Sequence, residues 1–200
     1  MGSPKRPDPG ISGVLLAGGR AERLGGIEKG LLRVRGRALL EYPLRLLERC
    51  CGEVFLSANR SLAAYRAFGH PVLTDQAFPL AGPLAGIHEA LQVMRGEWLL
   101  VLPCDALGVE AGLIERLLAA ARPGTPALVG TEGERWHPTF SLIHRSQRAP
   151  LRDWLAAGER RFGPWLREIG VQPVNCSDHP EWFANLNRPE DVTAAGGRMP

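Results

Sequence analysis

No apolar run in the chain approaches the ~20 residues that a membrane-spanning helix requires, so no transmembrane role is expected. Residues 1–10 hold three prolines and two basic residues, with no apolar stretch of the kind a secretory signal carries. They are expected to be a disordered leader before a single domain over 11–200. Cysteine is sparse, at positions 50, 51, 104 and 176, with no C-x-x-C pair and no histidine at zinc-finger spacing. That excludes a disulfide framework and a structural zinc. The thiols read as buried residues of a reducing, cytoplasmic compartment. Excess charge is also missing. A net charge of +3 is too small to argue for nucleic acid as a partner, but it leaves room for a local basic site facing an anionic small molecule. No internal repeat, low-complexity tract or interdomain linker is visible.

What is present is an alternation of apolar runs and helical spacings over 200 residues, long enough to bury roughly 70% of the unfolded chain's surface in one core. Residues 11–16, 54–57, 72–74 and 97–102 read as strands, the first and last almost wholly apolar as buried parallel strands are. Residues 39–51, 61–67, 84–94 and 111–121 carry helical spacing. Such alternation implies βαβ units with right-handed crossovers and a mostly parallel sheet. The second half reads differently. A hairpin is expected over 127–131 and 136–143, helices over 150–157 and 163–169, and a late strand over 171–176. A last helix over 189–194 has Pro189 in its first turn, where a missing N–H costs nothing. The two halves, about 11–122 and about 123–195, thus differ in pattern.

The chemistry concentrates in the loop after the first strand, Leu16-Ala17-Gly18-Gly19-Arg20-Ala21-Glu22-Arg23-Leu24-Gly25-Gly26-Ile27-Glu28-Lys29. Glycines let main-chain amides approach phosphate oxygens, and consecutive amides form an anion-binding nest. Arg20, Arg23 and Lys29 add positive charge for the phosphorus centre. The pattern is neither a Walker A loop nor a dinucleotide G-x-G-x-x-G. A solvated glycine-rich surface loop would share the composition, but one that follows a strand and ends on a cation favours phosphate. Ligands of parallel sheets bind beyond the carboxyl ends of the strands. Asp105 ends the strand 97–102, where a carboxylate can hold Mg²⁺ against a triphosphate, or cap the next helix. Asp75 ends another strand and could be a turn residue instead, as could Asn59. The run Gly82-Pro83-Leu84-Ala85-Gly86 opens a helix with small residues, as a ligand-facing helix start or a tight turn would.

With those residues in hand, the chain resembles the molybdenum cofactor guanylyltransferases, the MobA family. The resemblance rests on L-A-G-G-R-x-x-R-[LM]-G-G-x-[DE]-K-G in the loop. It continues through Arg35-Gly36-Arg37, Ser57-Ala58-Asn59-Arg60, Asp75, G-P-L-A-G at 82–86 and P-C-D at 103–105. His137-Pro138-Thr139, Gly158-Glu159-Arg160-Arg161, Ser177-Asp178 and Phe183-Ala184-Asn185-Leu186-Asn187 carry it through the second half, so it covers about residues 11–195. It implies a three-layer α/β/α, nucleotide-diphospho-sugar transferase-like fold, with a nucleotide-binding half over about 11–122 and an acceptor half over about 123–195. It also implies the transfer of GMP from GTP to Mo-molybdopterin, with release of pyrophosphate and with Mg²⁺ as cofactor.

Carried over residue by residue, the resemblance implies GTP contacts from Leu16, Ala17, Gly18, Gly19, Arg20, Lys29, Ser57, Asn59, Asp75 and Asp105. Lys29, Arg23 and Asp105 take the catalytic roles, with Asp105 on the metal. Ser57 stands where the family often has Asn, and its hydroxyl lacks the amide's two-sided bonding. Arg160, Arg161, Asn185 and Asn187 are expected on the acceptor side. The two asparagines hold the place where related sugar nucleotidyltransferases keep a second metal-binding acid. Molybdoenzymes and other cofactor-assembly proteins are conceivable partners. His137, before Pro138, reads as a structural hydrogen bonder in extended chain, and Trp136, Trp154, Trp165 and Trp182 read as packing. Two competing readings stay open. One is a related nucleotidylyltransferase using CTP or another phosphorylated acceptor, such as the cytidylyltransferase acting on the same pterin, although that relative typically shows L-A-A-G in the loop. The other is a non-catalytic nucleotide- or cofactor-binding module.

Overall fold

The computed structural model describes residues 7–18, 28–186 and 196. Seven strands form one sheet: β1 (Asp8–Leu16), β4 (Cys51–Ser57), β5 (Val72–Leu73), β6 (Trp98–Pro103), β7 (Ala127–Glu132), β8 (Arg135–His144) and β9 (Gln172–Asn175). Their order is β5-β4-β1-β6-β8-β7-β9. β1 is parallel to β4 and β6, β4 to β5, and β7 to β9. Only β8 runs against its neighbours, because it returns from β7 as a hairpin. The sheet continues across residue 122, since β6 pairs with β8.

Side-chain alternation on the strands builds two cores. Leu15, Leu56, Leu100, Leu102 and Leu142 meet α1 (Glu41–Cys50) and α4 (Ala111–Ala120) on one face. Val14, Phe55, Leu99, Val101 and Ile143 meet α3 (Pro83–Val93), α5 (Arg148–Ala156) and α6 (Phe162–Glu168) on the other. This is the expected three-layer α/β/α arrangement with a mostly parallel sheet. The short α2 (Leu62–Arg66) contributes only Tyr65 to the first core, but that residue is fully buried.

Two local readings need correction. The stretch read as leader is already strand from Asp8. Asp8 pairs with Cys51, its carboxylate accepts from Gly10 N at 2.8 Å, and Gly10 O accepts from Glu97 N at 2.8 Å. Main-chain pairing makes that strand, so an apolarity criterion passed over it. The helix expected from residue 39 begins at Glu41, because Leu39 is buried in a separate cluster with Leu32, Val34 and Leu186. That cluster lies under a hairpin of β2 (Arg33–Val34) and β3 (Arg37–Ala38), joined by Arg35 and Gly36 with φ of 51° and 79°. Positive φ at both central residues is the turn that matches strand twist. The helix expected over 189–194 lies outside the described residues. No helix among the described residues is long and apolar enough to cross a membrane.

Candidate active site

The carboxyl ends of β1, β4, β5 and β6 come to one edge, on either side of the point where strand order reverses at β1. Main-chain bonds carry the sheet past the strands: Ala17 N donates to Ser57 O at 2.9 Å, Ala58 N to Leu73 O at 3.0 Å and Cys104 N to Leu16 O at 3.0 Å. The residues that follow, Gly18, Asn59, Asp75 and Asp105, therefore sit on a rigid rim.

Across β1 and β6, Lys29 and Asp105 meet. The Lys29 ammonium donates to Asp105 Oδ2, and both side chains are largely covered, at 20% and 9% exposure. Lys29 opens the 3-10 turn Lys29–Leu31, which is fixed from behind. Tyr65 Oη donates to Glu28 Oε2 at 3.1 Å, Arg60 Nε lies 3.0 Å from Glu28 Oε1, and a Cβ on Gly30 would stand 3.1 Å from Tyr65 Oη. Burial, together with nearby Cys104 and Glu28, pushes the Tyr65 hydroxyl far above its ordinary range, so it stays a neutral donor. Burial likewise holds the Cys104 thiol up at about 12, so it is inert beside Asp105. The four cysteines form no disulfide.

Across β4 and β5, Asn59 and Asp75 form a reciprocal pair. Asn59 Nδ2 donates to Asp75 Oδ2 and Asp75 N donates to Asn59 Oδ1, each at 2.8 Å. Burial raises the Asp75 carboxyl above its usual range. The Asn59 bond opposes this and Glu89 adds to it. Gly18 is seated on the pair, since a Cβ there would lie 3.4 Å from Asn59 Nδ2. Ser57 is 4% exposed, and its hydroxyl fills the space above Gly86 of α3. A Cβ on Gly86 would meet Ser57 Oγ at 2.1 Å. The small residues at the start of α3 thus let the helix approach the sheet edge, and Ser57 faces that helix.

The chain returns to this rim at its far end. Asn185 forms an antiparallel bridge with Ala106, the residue after Asp105. Its Oδ1 is buried and has no hydrogen-bond partner. Arg160 and Arg161 lie on the α5–α6 connection. The Arg160 guanidinium donates to Leu155 O and Glu159 O at 2.7 and 2.8 Å, where a cation satisfies the last carbonyls of α5. His137 is stacked on Phe183, with centroids 4.0 Å apart and rings 4° from parallel, and burial lowers its pKa. The packing reading of the tryptophans fits their placement: Trp165 and Trp182 are buried, while Trp136 and Trp154 are half-buried against the second core. Gly19, Arg20, Arg23 and Asn187 lie outside the described residues.

Sequence reasoning missed Tyr65, Arg60 and the anchoring role of Glu28. A tyrosine in a short helix carries no local sign that it will support a lysine loop more than thirty positions away.

Comparison with known proteins agrees with this fold. The family profile described as "MobA-like NTP transferase domain" matches residues 13–171. A molybdenum cofactor guanylyltransferase of Yersinia pseudotuberculosis is 36% identical over 183 residues, covering 92% of this chain and 93% of that protein. Molybdopterin-guanine dinucleotide biosynthesis protein A from Archaeoglobus fulgidus superposes with a TM-score of 0.76 at 21% identity, covering 92% and 96% of the two chains. A CMP:2-keto-3-deoxy-manno-octonic acid synthetase in complex with CTP superposes at 0.71 and 14% identity, covering 92% and 95%. These structures share the fold of nucleotide-activating transferases, and the chain belongs to the MobA-like NTP transferase family.

Proposed function

We propose that the protein transfers GMP from GTP to Mo-molybdopterin, forming the guanine dinucleotide cofactor and releasing pyrophosphate. The observation that carries the reading is the Lys29–Asp105 contact across β1 and β6, at the end of a glycine-rich loop. A cation and an acid, both of which such chemistry needs, meet there near the switch point of the sheet. The guanylyltransferase name of relatives at 36% identity supports the choice of nucleotide and acceptor.

The acceptor's terminal phosphate is ionised at neutral pH, so the reaction needs no general base. Its oxygen attacks the α-phosphorus of GTP in line, the new P–O bond forms, and the bond to the β-phosphate bridge breaks. The protein's work is positioning and charge neutralisation. Lys29 faces the triphosphate, with Arg23 and Arg20 assigned the same task by sequence. Gly18 offers main chain to the phosphates, and the Asn59–Asp75 pair forms the nucleoside side of the rim.

A magnesium ion fits the residues present. Asp105 offers one nearly buried carboxylate, and Asn185 Oδ1 is a buried acceptor without a donor on the adjoining strand. No cluster of three or more His, Cys, Asp or Glu suited to a metal exists among the described residues. That suits Mg²⁺, which is commonly held by one or two protein oxygens and completes its shell with phosphate and water. When bound, the metal neutralises phosphate charge and orients the α-phosphate.

The test is a nucleotide panel. Purified protein, Mo-molybdopterin and Mg²⁺ are mixed with GTP, CTP, ATP or UTP, and pyrophosphate release is followed. GTP should be used best. A preference for CTP would overturn the base assignment, and GTP binding without turnover would indicate a binding module.

A further inference from the structure

The chain end that brings Asn185 to Asp105 starts beyond β9, and α4 holds it down through residues with no place in the reaction. Gly108 and Gly112 leave the start of α4 bare. A Cβ on Gly108 would stand 1.9 Å from Glu181 O, and one on Gly112 would stand 2.7 Å from Trp182 Cζ2. The 3-10 turn Pro180–Phe183 therefore lies directly on the helix. One turn further along, Arg116 reaches over Trp182, its Cζ 5.1 Å from the ring centroid. The same guanidinium grips Asp178 with both arms, at 2.5 and 2.6 Å. His179 stacks on the Trp182 ring at 4.2 Å and 7°. Phe183 is fixed on the sheet side, where a Cβ on Gly130 would stand 2.8 Å from its ring. Two residues on, Asn185 bridges to Ala106.

We infer that Arg116, Asp178 and Trp182 form a positioning clasp that seats the arm from residue 178 to 185 so that Asn185 adjoins the Asp105 loop. The inference rests on the proposed metal–GTP reading and deepens it. Asp105 needs no such help, because it continues directly from β6. Asn185 stands ten positions beyond the end of β9, so its place depends on contacts along the arm, on its bridge to Ala106 and on the burial of Leu186 beside Leu32, Val34 and Leu39. A bidentate Arg–carboxylate fork and a planar guanidinium on an indole are directional contacts. They set the register of the arm as well as its attachment. None of the three residues touches the reacting atoms. Their effect is to keep an unpaired amide oxygen where a cation would meet it, as supporting contacts do for other metal ligands.

The test counts bound Mn²⁺ by electron paramagnetic resonance in the full-length protein with saturating GTP, and needs no turnover. Asn185→Ala should weaken Mn²⁺ binding by about tenfold, and Arg116→Ala and Asp178→Asn each by several-fold, less than the roughly 10–100-fold typical when a group bonded directly to a metal ligand is removed, because the clasp lies several residues from Asn185. Both members of the surface pair are substantially exposed, at 35% and 59%, so their truncation should leave the circular dichroism spectrum unchanged. The deciding readout is the double variant. Arg116→Ala with Asn185→Ala should bind no more weakly than Asn185→Ala alone, because the clasp acts only through that residue. Losses that multiply in the double variant, or wild-type affinity in both Arg116→Ala and Asp178→Asn, would overturn the clasp and leave the metal reading intact. A wild-type protein that takes up no Mn²⁺ with GTP would overturn the metal reading, and the clasp with it.

Discussion

Gly86→Ala puts the approach of α3 to the nucleotide rim to a quantitative test. The added Cβ would lie 2.1 Å from Ser57 Oγ, 2.8 Å from Ser57 Cβ and 3.3 Å from Leu16 Cδ2. Rotating the hydroxyl relieves the first contact but not the second, which is fixed to the end of β4. Carbon atoms settle at about 3.5–4.0 Å, so the helix must retreat from the sheet by roughly 0.7 Å or more. Overpacking of this kind costs about 1–3 kcal/mol. Alanine's better helix propensity returns up to ~1 kcal/mol. The net loss should be about 1–2 kcal/mol, which in a chain of this size lowers the melting temperature by roughly 2–8 °C. Calorimetry of Gly86→Ala, Ser57→Gly and the double variant measures the loss and its origin. The double variant should recover at least about 1 kcal/mol relative to the sum of the singles. KM for GTP should rise in Gly86→Ala, because the same retreat carries α3, whose Glu89 lies near Asp75 and accepts from Ala77 N at 3.1 Å, away from the rim. Stability within ~0.3 kcal/mol of wild type, or additive singles, would refute the close packing of Ser57 under α3.

Two further outcomes follow from the site's hydrogen bonds and charges. Asn59→Ala removes both bonds to Asp75, so the Asp75 carboxyl should titrate still higher than in the wild type, as carboxyl-carbon NMR would read, and KM for GTP should rise with little change in kcat. An unchanged Asp75 titration would show that the amide does not hold that carboxylate. The bond from Arg116 holds Asp178 down at about 2, from an ordinary 3.8. The unfolded chain therefore takes up the proton first on acidification. The pair's contribution to stability is whole above pH 3.8 and fades as pH falls towards 2. Denaturant melts should show the gap between wild type and Asp178→Asn constant above about pH 4 and closing below it, while a gap that widens in acid would contradict the assignment.

The fold was legible where burial leaves a local mark. The nearly continuous apolar runs of β1 and β6 announced parallel strands covered on both faces, and the leucine spacing before Cys51 announced α1. Asp8–Gly10 left no such mark, because backbone pairing with β4 and Glu97 builds that strand from Asp, Pro and Gly. The β2–β3 hairpin escaped for a related reason: strands of two residues have no periodicity, and its turn uses an arginine at positive φ. The convergence of the glycine loop with Asp105 was readable from strand ends alone. Which side chains pair across the rim was not. Asn59 with Asp75, Glu28 with Tyr65 and Arg60, and Asn185 beside Ala106 are meetings of distant segments that local pattern cannot encode. Ser57 shows the same limit, because its direction depends on a glycine in a helix that packs over it. Arg160 carries a charge that reads equally as a phosphate grip or a helix-end cation, and only the position of the α5 carbonyls gives it the second set of partners.

The central claim, that Asp105 holds the metal–triphosphate while Lys29 faces the phosphates, is tested most directly by single-turnover transfer of GMP from labelled GTP in Asp105→Asn. The side chain keeps its size but no longer supplies the counter-charge to the largely covered Lys29 ammonium, so the protein should melt at a lower temperature while keeping its fold. Transfer measured well below that melting point should fall by at least about 10²-fold, the loss typical when one preorganised charge-stabilising group is removed. Transfer at a near-normal rate in a folded Asp105→Asn protein would contradict the account.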